Sequence, residues 1–598
     1  MNNSRRIVIQ LLIASVAILF CSKLFYMQVI DDDYKSAAQN NVMKRFVSYP
    51  FRGMISDRNN HLMVYNDPVY DIKIVPKEFK NVDTAAFCQR FDIPHKDFDK
   101  LWKKARRYSW VKASTLKKQL TKEEFAEIES YLIDFPGVYV SPRTVRGYNY
   151  KSAANALGYI GEIPPRQLKK DTLKYYREGD YVGRSGLESY YEEYLRGQRG
   201  ASYKMVNVRG VVKGSFQGGE YDTLSVPGKN LTSTIDLDLQ AYAEKLMKGK
   251  VGSLVAIEPS TGEILAMVSA PDYDPGLLSG RLLGKNIGKL YGDSLKPLFN
   301  RPIMAAYPPG SIFKTLQALV ALQEGVIRPG EKIYCDHKLI GDHAPIGLFD
   351  IQRAIKYSSN NFFVKVFKEV LNRGVDSNTF VDSRLGLDKW HSYMLRFGLG
   401  QRLGIDLPGE KKGYIPSSAF YDRYYGHNRW KASNIQSLAI GQGEVLVTPI
   451  QMANMGALLA NRGYFYTPHL IKDVDGNGPL EKYTIKHETN IDPAYYDEVI
   501  KGMEQVVQGT ATRAYIKDFP IAGKTGTVQN PHGPDHSVFM AFAPVEHPKI
   551  AVSVYVENAG WGGRAATAIS GLVLEKYVRG HITRPWMEKY VLKGDFLY

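Results

Sequence analysis

The most apolar part of the chain lies near its N-terminus, where polar side chains interrupt residues 7–29 at only five positions. A run of this length can cross a bilayer as a helix. Arg5 and Arg6 precede it and acidic residues follow it, so the positive-inside rule predicts a cytoplasmic N-terminus. No small-residue cleavage site follows, which favours an uncleaved signal anchor. The predicted segments are a cytoplasmic tail (1–6), a transmembrane anchor (7–29) and a juxtamembrane stalk (30–50).

The C-terminal part of the chain has strand patterns at both ends and helical patterns between them. Two apolar runs flank the turn sequence Pro259-Ser260-Thr261-Gly262 and predict a hairpin. The predicted strands are 254–257, 264–268, 538–543 and 550–556, and a closing helix is predicted over 565–578. This arrangement predicts a central antiparallel sheet with a helical insert, an α/β fold of the α+β type.

Residues 75–140, nearer the N-terminus, are rich in Lys, Phe and Tyr. Their pattern predicts a group of small helices, most clearly over 92–98 and 121–132. With 598 residues in all, the chain is long enough for two or three domains.

Composition narrows the choice of partners and compartment. The 78 Lys and Arg residues exceed the 61 Asp and Glu residues and give a net charge of +17, which suits anionic lipid head groups and cell-wall polymer. Nucleic acid is the competing partner of a basic chain, but the anchor and the lack of a recognition motif argue against it. The three cysteines, which are far apart and odd in number, predict no disulfide framework.

The string S-x-x-K occurs three times, and its third copy has the most distinctive context. The copies that begin at Ser109 and Ser114 lie in a basic stretch and are expected to be chance matches. Ser311 follows a Tyr-Pro-Pro-Gly turn and opens an apolar helical pattern, so Lys314 lies on the same face within reach of its hydroxyl. A serine becomes a nucleophile when a neighbouring base takes its proton, and a buried lysine can be that base.

A second string, S-x-N, fits the chain in two registers. Ser358 with Asn360 and Ser359 with Asn361 both match it, directly ahead of an apolar run. One interpretation is catalytic, with the hydroxyl passing on a proton. The other is a helix cap without a catalytic role.

The third string, Lys524-Thr525-Gly526-Thr527, lies in a predicted strand over 521–528. Two glycines in one strand indicate close approach of a ligand backbone, or a glycine-rich bend on an edge strand.

Together the three strings resemble the active-site motifs of penicillin-binding proteins and serine β-lactamases. The resemblance implies that Ser311 is the nucleophile and Lys314 its base. It favours the register in which Ser358 relays a proton to the leaving amine and Asn360 binds the substrate amide.

For the third motif, the resemblance implies recognition of the terminal carboxylate of a peptide. Lys524 belongs to the catalytic group, and Thr525, Gly526 and Thr527 bind substrate. The backbone N–H groups of Ser311 and Thr527 form the implied oxyanion hole.

The chain ahead of these motifs resembles the non-catalytic module of class B penicillin-binding proteins. The resemblance rests on 52–59, 146–161 and 183–200, although the family usually has a histidine where Asn155 stands. It implies an elongated pedestal, and no glycosyltransferase-like module precedes it, which favours class B. The implied domains are a pedestal over 51–230, with a head at about 75–140, and a transpeptidase domain of the penicilloyl-serine transferase fold over 231–598. The head either binds partner proteins or is a solvated basic face.

The turn before Ser311 and the long span to Lys524 resemble the elongation-type group, penicillin-binding protein 2, more than the division-type group, penicillin-binding protein 3. Some elongation enzymes bind zinc between the first two motifs. The candidate ligands here are Cys335, His337, Asp342 and His343. The run Ser358-Ser359-Asn360 lacks a cysteine that the group often has at this place. No cofactor is therefore predicted, and the histidines are expected to lie unliganded in a loop. A zinc site is the alternative.

The resemblance implies a peptidoglycan D,D-transpeptidase that cross-links stem peptides through a seryl acyl-enzyme and is trapped by β-lactams. Its implied location is the bacterial inner membrane, single-pass, with the catalytic domain in the periplasm. Implied partners are stem peptides, a lipid-linked precursor, a membrane glycosyltransferase of the shape, elongation and division type, and other elongation-complex proteins. The alternatives are a β-lactamase, with fast deacylation, and a catalytically silent scaffold for wall synthesis.

Overall fold

A computed structural model describes residues 3–30, 43–80, 82–206 and 212–597. The N-terminal residues form a helix, Asn3–Phe25, and a π-helical turn, Tyr26–Ile30. Within them Arg5–Gln28 is long and apolar enough to cross a membrane, in agreement with the predicted anchor. Most of the predicted stalk, from residue 31 to residue 42, lies outside the described residues.

The chain divides into two compact units. The first comprises Met1–Gly53, Pro68–Thr144 and Arg196–Gly228, and the second comprises Met54–Asp67, Val145–Leu195 and Lys229–Tyr598. Two long strands, Leu62–Ile74 and Val138–Tyr148, each contribute residues to both units.

The first unit has a small hydrophobic core between helices and strands. Its aromatic side chains, Phe79, Phe87, Phe91 and Phe98 among them, are buried against one another. Besides the N-terminal helix, its α-helices are Thr84–Arg90, His95–Tyr108 and Lys122–Glu129, and its strands, besides the two shared ones, are Met43–Ser48, Ser114–Leu120, Gly200–Val206 and Val212–Ser215.

The helical prediction for this head is partly wrong. The predicted helix over 92–98 begins only at His95, because Asp92 has a φ of +49° and Pro94 removes a backbone donor and stands before the first turn. The helix predicted over 121–132 is Lys122–Glu129, with Thr121 as its N-cap in a capping box with Glu124. The helix Thr84–Arg90 and the strand Ser114–Leu120 were not among the predicted elements.

In the second unit, the part of the chain that precedes the three motifs contains a buried ion pair. Arg146 Nε donates to Glu188 Oε1 at 2.6 Å, and both side chains are almost fully buried. The helices of this part are Ala154–Leu157, Pro165–Leu168, Gly186–Tyr190 and Glu192–Leu195, and its strands are Ile55–Ser56, Ile160–Glu162 and Tyr181–Gly183. Asn155, where the family usually has histidine, donates from its side chain to the carbonyl of Pro297 at 3.1 Å.

Glu188→Ala is expected to lower the free energy of unfolding by about 3–5 kcal/mol, because it leaves the Arg146 guanidinium buried without its carboxylate. Thermal unfolding of the full chain in detergent measures the change. Glu488→Ala is the control, since the Lys486–Glu488 pair is exposed and its loss is expected to leave the unfolding midpoint unchanged. Equal effects of the two substitutions would contradict this account of the buried pair.

The core of the second unit is a five-stranded antiparallel sheet, as predicted. Its strands lie in the spatial order Ile264–Ala270, Gly252–Ile257, Ile550–Val556, His536–Ala543 and Ala522–Val528. The first three of these strands are buried along their whole length, which explains why they are continuous apolar runs rather than alternating ones. The predicted hairpin, strands and closing helix are therefore confirmed.

Helices cover this sheet. Ala565–Arg579 packs against two central strands and against Leu237–Met247, while the fully buried helix Pro449–Ala460 packs against three strands. The other helices are Leu283–Gly292, Arg301–Met304, Lys314–Gln323, Ile351–Tyr357, Asn360–Leu371, Thr379–Arg396, Ser418–Tyr425, Pro493–Gln508 and Pro585–Lys593. Short strands lie at Leu231–Ser233, Ile333–Cys335, Gly347–Phe349, Tyr464–Tyr466, Ile471–Val474 and Lys486–Glu488.

Candidate active site

Ser311 lies in a 3₁₀ turn, Gly310–Phe313, that leads directly into the α-helix Lys314–Gln323. The sequence predicts Ser311 within the helix itself, whereas the tighter turn precedes it. Gly310 has a φ of +58°, and a Cβ there would lie 3.1 Å from Val528 Cγ2. The turn therefore requires glycine both for its left-handed backbone and for its close approach to the edge strand that carries the third motif.

Lys314 is fully buried and connects the first two motifs. Its Nζ donates to Asn360 Oδ1 at 2.6 Å, to the carbonyl of Ser358 at 2.6 Å and to Ser358 Oγ at 3.2 Å. Burial lowers the pKa of Lys314 to about 7, against an opposing contribution from the Asp342 carboxylate. At neutral pH a substantial fraction of this amine is therefore neutral and able to accept a proton.

The structure distinguishes the two registers of the second motif. Ser358 and Asn360 contact Lys314, whereas Ser359 Oγ donates to Asp342 Oδ2 at 2.8 Å and Asn361 Nδ2 donates to the carbonyl of Ile340. Ser359 also accepts from the N–H of Phe362, so the helix-cap interpretation describes Ser359 and not Ser358.

Lys524 approaches the same hydroxyl from the edge strand. Its Nζ donates to Ser358 Oγ and to the carbonyl of Thr525, both at 3.0 Å. Burial first, and then the charge of Lys314, hold the pKa of Lys524 well below its ordinary value. Two buried amines around one hydroxyl cannot both stay charged without a high cost, which favours one neutral lysine acting as a base.

The other residues of the third motif lie on the strand Ala522–Val528, at one end of the five-stranded sheet. Thr525 and Thr527 are half-buried, and Thr527 Oγ1 accepts from the N–H of Gly562 at 3.1 Å. An edge strand can pair with an extended peptide through its backbone. The position therefore fits the predicted binding of a peptide terminus next to Ser311.

The glycines of this strand are explained by contacts within the protein. A Cβ on Gly526 would lie 2.5 Å from Val538 Cγ1 and 3.4 Å from the backbone nitrogen of Ser311. A Cβ on Gly523 would lie 2.5 Å from Phe539 Cζ. The sequence suggested a ligand backbone as the close neighbour, but the neighbours here are the adjacent strand and the Ser311 turn.

One contributor to the Ser311 turn was missed from the sequence. Gly441, with a φ of +68°, accepts the Gly310 N–H through its carbonyl at 2.9 Å, and a Cβ on it would lie 2.4 Å from the Gly310 carbonyl oxygen. The available signal was the string Gly441-Gln442-Gly443, two glycines around one polar residue.

The zinc candidates do not converge on one point. His337 Nε2 contacts the Ala344 carbonyl at 2.5 Å, Cys335 Sγ points to the carbonyl of Ile333, and the ring of His343 lies 5.5 Å from that of Trp561. Asp342 instead accepts hydrogen bonds from the Ser359 hydroxyl and from backbone N–H groups. In the part of the chain that the structure describes, no group of three or more His, Cys, Asp or Glu residues could hold a metal ion. As arranged, these donors do not fit zinc.

Comparison with known proteins shows the family. The family described as penicillin-binding protein transpeptidase domain matches residues 252–575, and the family described as penicillin-binding protein dimerisation domain matches residues 47–233. The chain is a class B penicillin-binding protein. It is 30% identical to peptidoglycan D,D-transpeptidase MrdA of Escherichia coli, over 91% of the chain and 89% of that relative. It is 29% identical to MrdA of Haemophilus influenzae, over 95% of the chain and 90% of that relative.

Solved structures of penicillin-binding proteins share this fold. Pseudomonas aeruginosa PBP2 in complex with WCK 5153 has a TM-score of 0.66 and 29% identity, over 89% of this chain and 96% of that one. The complex of PBP2 and MreC from Helicobacter pylori has a TM-score of 0.73 over 90% of this chain and 100% of that one, and at 24% identity it supports the fold alone.

Gly526→Ala is expected to slow acylation of the penicillin-binding protein by a fluorescent penicillin about 10–100-fold. The new methyl group would lie 2.5 Å from Val538 Cγ1 and 3.2 Å from the carbonyl oxygen of Pro309, so the edge strand must shift relative to the Ser311 turn. Stopped-flow labelling measures the rate constant. Gly288→Ala is the matched control, since a Cβ there meets open space. A Gly526→Ala enzyme that is labelled as fast as the wild type would show that the turn tolerates the methyl group.

Proposed function

We propose that this penicillin-binding protein is a membrane-anchored peptidoglycan D,D-transpeptidase of the elongation type. The observation that carries the proposal is the junction of the three motifs, in which Lys314 and Lys524 both donate to Ser358 Oγ next to the Ser311 turn. The names of the relatives MrdA and the matched transpeptidase family support the same reaction.

In the proposed acylation, Ser311 Oγ attacks the carbonyl of the penultimate D-Ala of a donor stem peptide. Lys314 in its neutral form takes the hydroxyl proton. The C–N bond to the terminal D-Ala breaks, and its amine receives a proton through Ser358, which both lysines contact. In the second half, an amine of a neighbouring stem peptide attacks the ester, the C–Oγ bond breaks, and Ser311 recovers its proton.

Substrate recognition in this proposal follows from charge and from the sheet edge. The terminal carboxylate of the donor is recognised by Thr525 and Thr527, together with Lys524, whose amine also contacts Ser358. The Ser311 and Thr527 N–H groups stabilise the oxyanion of the tetrahedral intermediate. Asn360 holds the donor amide.

The proposed setting is the bacterial inner membrane, with the catalytic domain in the periplasm and residues 1–6 in the cytoplasm. The N-terminal apolar helix supports the anchor, and Arg5 and Arg6 at its start support the orientation. The proposed partners are the lipid-linked precursor, a membrane glycosyltransferase that makes the acceptor chains, and other proteins of the elongation complex. A solved complex of PBP2 and MreC supports the last of these as a fold-level comparison.

The test is a cross-linking assay with the full chain in detergent, lipid-linked precursor and a membrane glycosyltransferase. Cross-linked stem peptides and free D-Ala are the expected products, and both are expected to disappear when a β-lactam is added first. Rapid turnover of the β-lactam would indicate a β-lactamase. Neither product, with no β-lactam adduct, would indicate a silent scaffold.

A further inference from the structure

The loop from Leu339 to Ala344 is joined by hydrogen bonds to the segment that carries the second motif. Asp342 is the centre of this junction. Its Oδ2 accepts from Ser359 Oγ at 2.8 Å and from the backbone N–H of Asn361 at 2.8 Å, and its Oδ1 accepts from the N–H of Ala344 at 3.1 Å. One half-buried carboxylate thus fixes both the loop and the start of the helix Asn360–Leu371.

Asn360 and Asn361, the two residues after Ser359, connect the same loop to the active site. Asn360 Nδ2 donates to the carbonyl of Gly341 at 2.7 Å, while its Oδ1 accepts from Lys314 Nζ at 2.6 Å. The carbonyl of Gly341 can only accept, so the amide nitrogen must face the loop and the amide oxygen must face Lys314. Asn361 Nδ2 donates to the carbonyl of Ile340 at 2.8 Å. The loop therefore sets which end of the Asn360 amide faces the lysine.

The segment between the two helices needs such support because its backbone is strained. Ser358 has a φ of +58° between the helices Ile351–Tyr357 and Asn360–Leu371. A left-handed conformation is unfavourable for a non-glycine residue, and it persists where surrounding contacts determine it. A carboxylate that accepts from the N-cap side chain and from a first-turn N–H stabilises the start of a helix.

We propose that Asp342 is the positioning residue of this active site, which holds the Ser359–Asn361 helix start so that Ser358 and Asn360 meet Lys314. Asp342 acts through Ser359 and Asn361, and it does not touch the substrate. The expected effect on the acylation rate rests on the proposed function, in which Ser311 is acylated. The geometric consequence of the proposal, the Asn360–Lys314 contact, is independent of any activity.

The kinetic test follows acylation of the full chain by a fluorescent penicillin. Asp342→Ala is expected to lower the acylation rate constant about 10–100-fold and to change the dissociation constant of the non-covalent complex much less, since the geometry of the reacting groups is altered and the carboxylate-binding strand is not. Asp376→Ala is the matched control, because Asp376 also caps a backbone N–H (that of Asn378) but lies in a different loop. A wild-type rate in Asp342→Ala would overturn the proposal.

Asp342→Asn distinguishes hydrogen bonding from charge. An amide oxygen can still accept from Ser359 and Asn361, but the amide nitrogen that replaces Oδ1 cannot accept from the N–H of Ala344. This variant is therefore expected to recover part of the rate and to be clearly faster than Asp342→Ala. A rate as low as that of Asp342→Ala would overturn positioning through Ser359 and Asn361.

A crystal structure of Asp342→Ala supplies the readout that does not depend on catalysis. The expected result is loss of the 2.6 Å contact between Asn360 Oδ1 and Lys314 Nζ. An unchanged contact would overturn the proposal even if the variant were slow. A wild type that no penicillin acylates would instead refute the proposed function, and the crystal structure would still decide the role of Asp342.

Discussion

Ser311→Ala is expected to abolish D-Ala release and stem-peptide cross-linking, with a loss of about 10³-fold or more in rate. The reason is chemical, because the substitution removes the oxygen that forms the ester while it leaves Lys314, Ser358 and Lys524 in contact with one another. Release of D-Ala by the full chain in detergent, measured with lipid-linked precursor and a glycosyltransferase, gives the rate. Binding of the donor is expected to change far less than the rate.

Ser109→Ala is the matched control for this substitution. Ser109 also begins an S-x-x-K string, but its hydroxyl accepts from the N–H groups of Val111 and Lys112 at the end of a helix in the first unit. Its loss is expected to leave the rate unchanged. Substantial cross-linking by Ser311→Ala, or a loss caused by Ser109→Ala, would contradict the assignment of the nucleophile.

Lys314→Arg is expected to lower the acylation rate about 10²–10⁴-fold although it keeps a positive charge at this position. A guanidinium stays protonated at all relevant pH values and cannot take the proton of Ser311. Stopped-flow labelling with a fluorescent penicillin measures the rate. An active Lys314→Arg enzyme would show that the charge of Lys314, and not its function as a base, supports catalysis.

The wild-type rate has a predicted pH dependence with the same origin. The pKa of Lys314 is lowered to about 7, so the neutral and active form of this base is present above that pH and is lost below it. The second-order acylation constant is therefore expected to rise through about pH 7 and to level off above it. A flat profile across this range would contradict a base with the pKa of Lys314.

The central sheet and the motifs could be predicted from the sequence because their signals are local. The strand Ile550–Val556 is an apolar run buried along its whole length, and its bounds agree with the prediction. Ser311, Ser358 and Lys524 are far apart in the chain, and periodicity contains no information on their proximity. Their convergence was expected only from the resemblance. The structure places Lys314 and Lys524 in contact with Ser358 Oγ, and the catalytic roles of these residues stay a prediction.

Other features depend on tertiary contacts and could not be predicted. The strand Ser114–Leu120 is polar at most positions, and it forms because it pairs with the strand Leu62–Ile74. Which of Ser358 and Ser359 faces Lys314 depends on which hydroxyl donates a hydrogen bond to Asp342, and this is Ser359. Asp342 itself was interpreted as a possible zinc ligand, because residue type alone does not distinguish a metal ligand from an acceptor for Ser359 and Asn361.

Peptide mapping by mass spectrometry, after reaction of the full chain with benzylpenicillin, tests the central claim most directly. The account predicts one stable penicilloyl adduct, on the peptide that contains Ser311, which persists over many minutes. An adduct on another peptide, or a wild-type protein that carries no adduct while the antibiotic remains intact, would contradict the account.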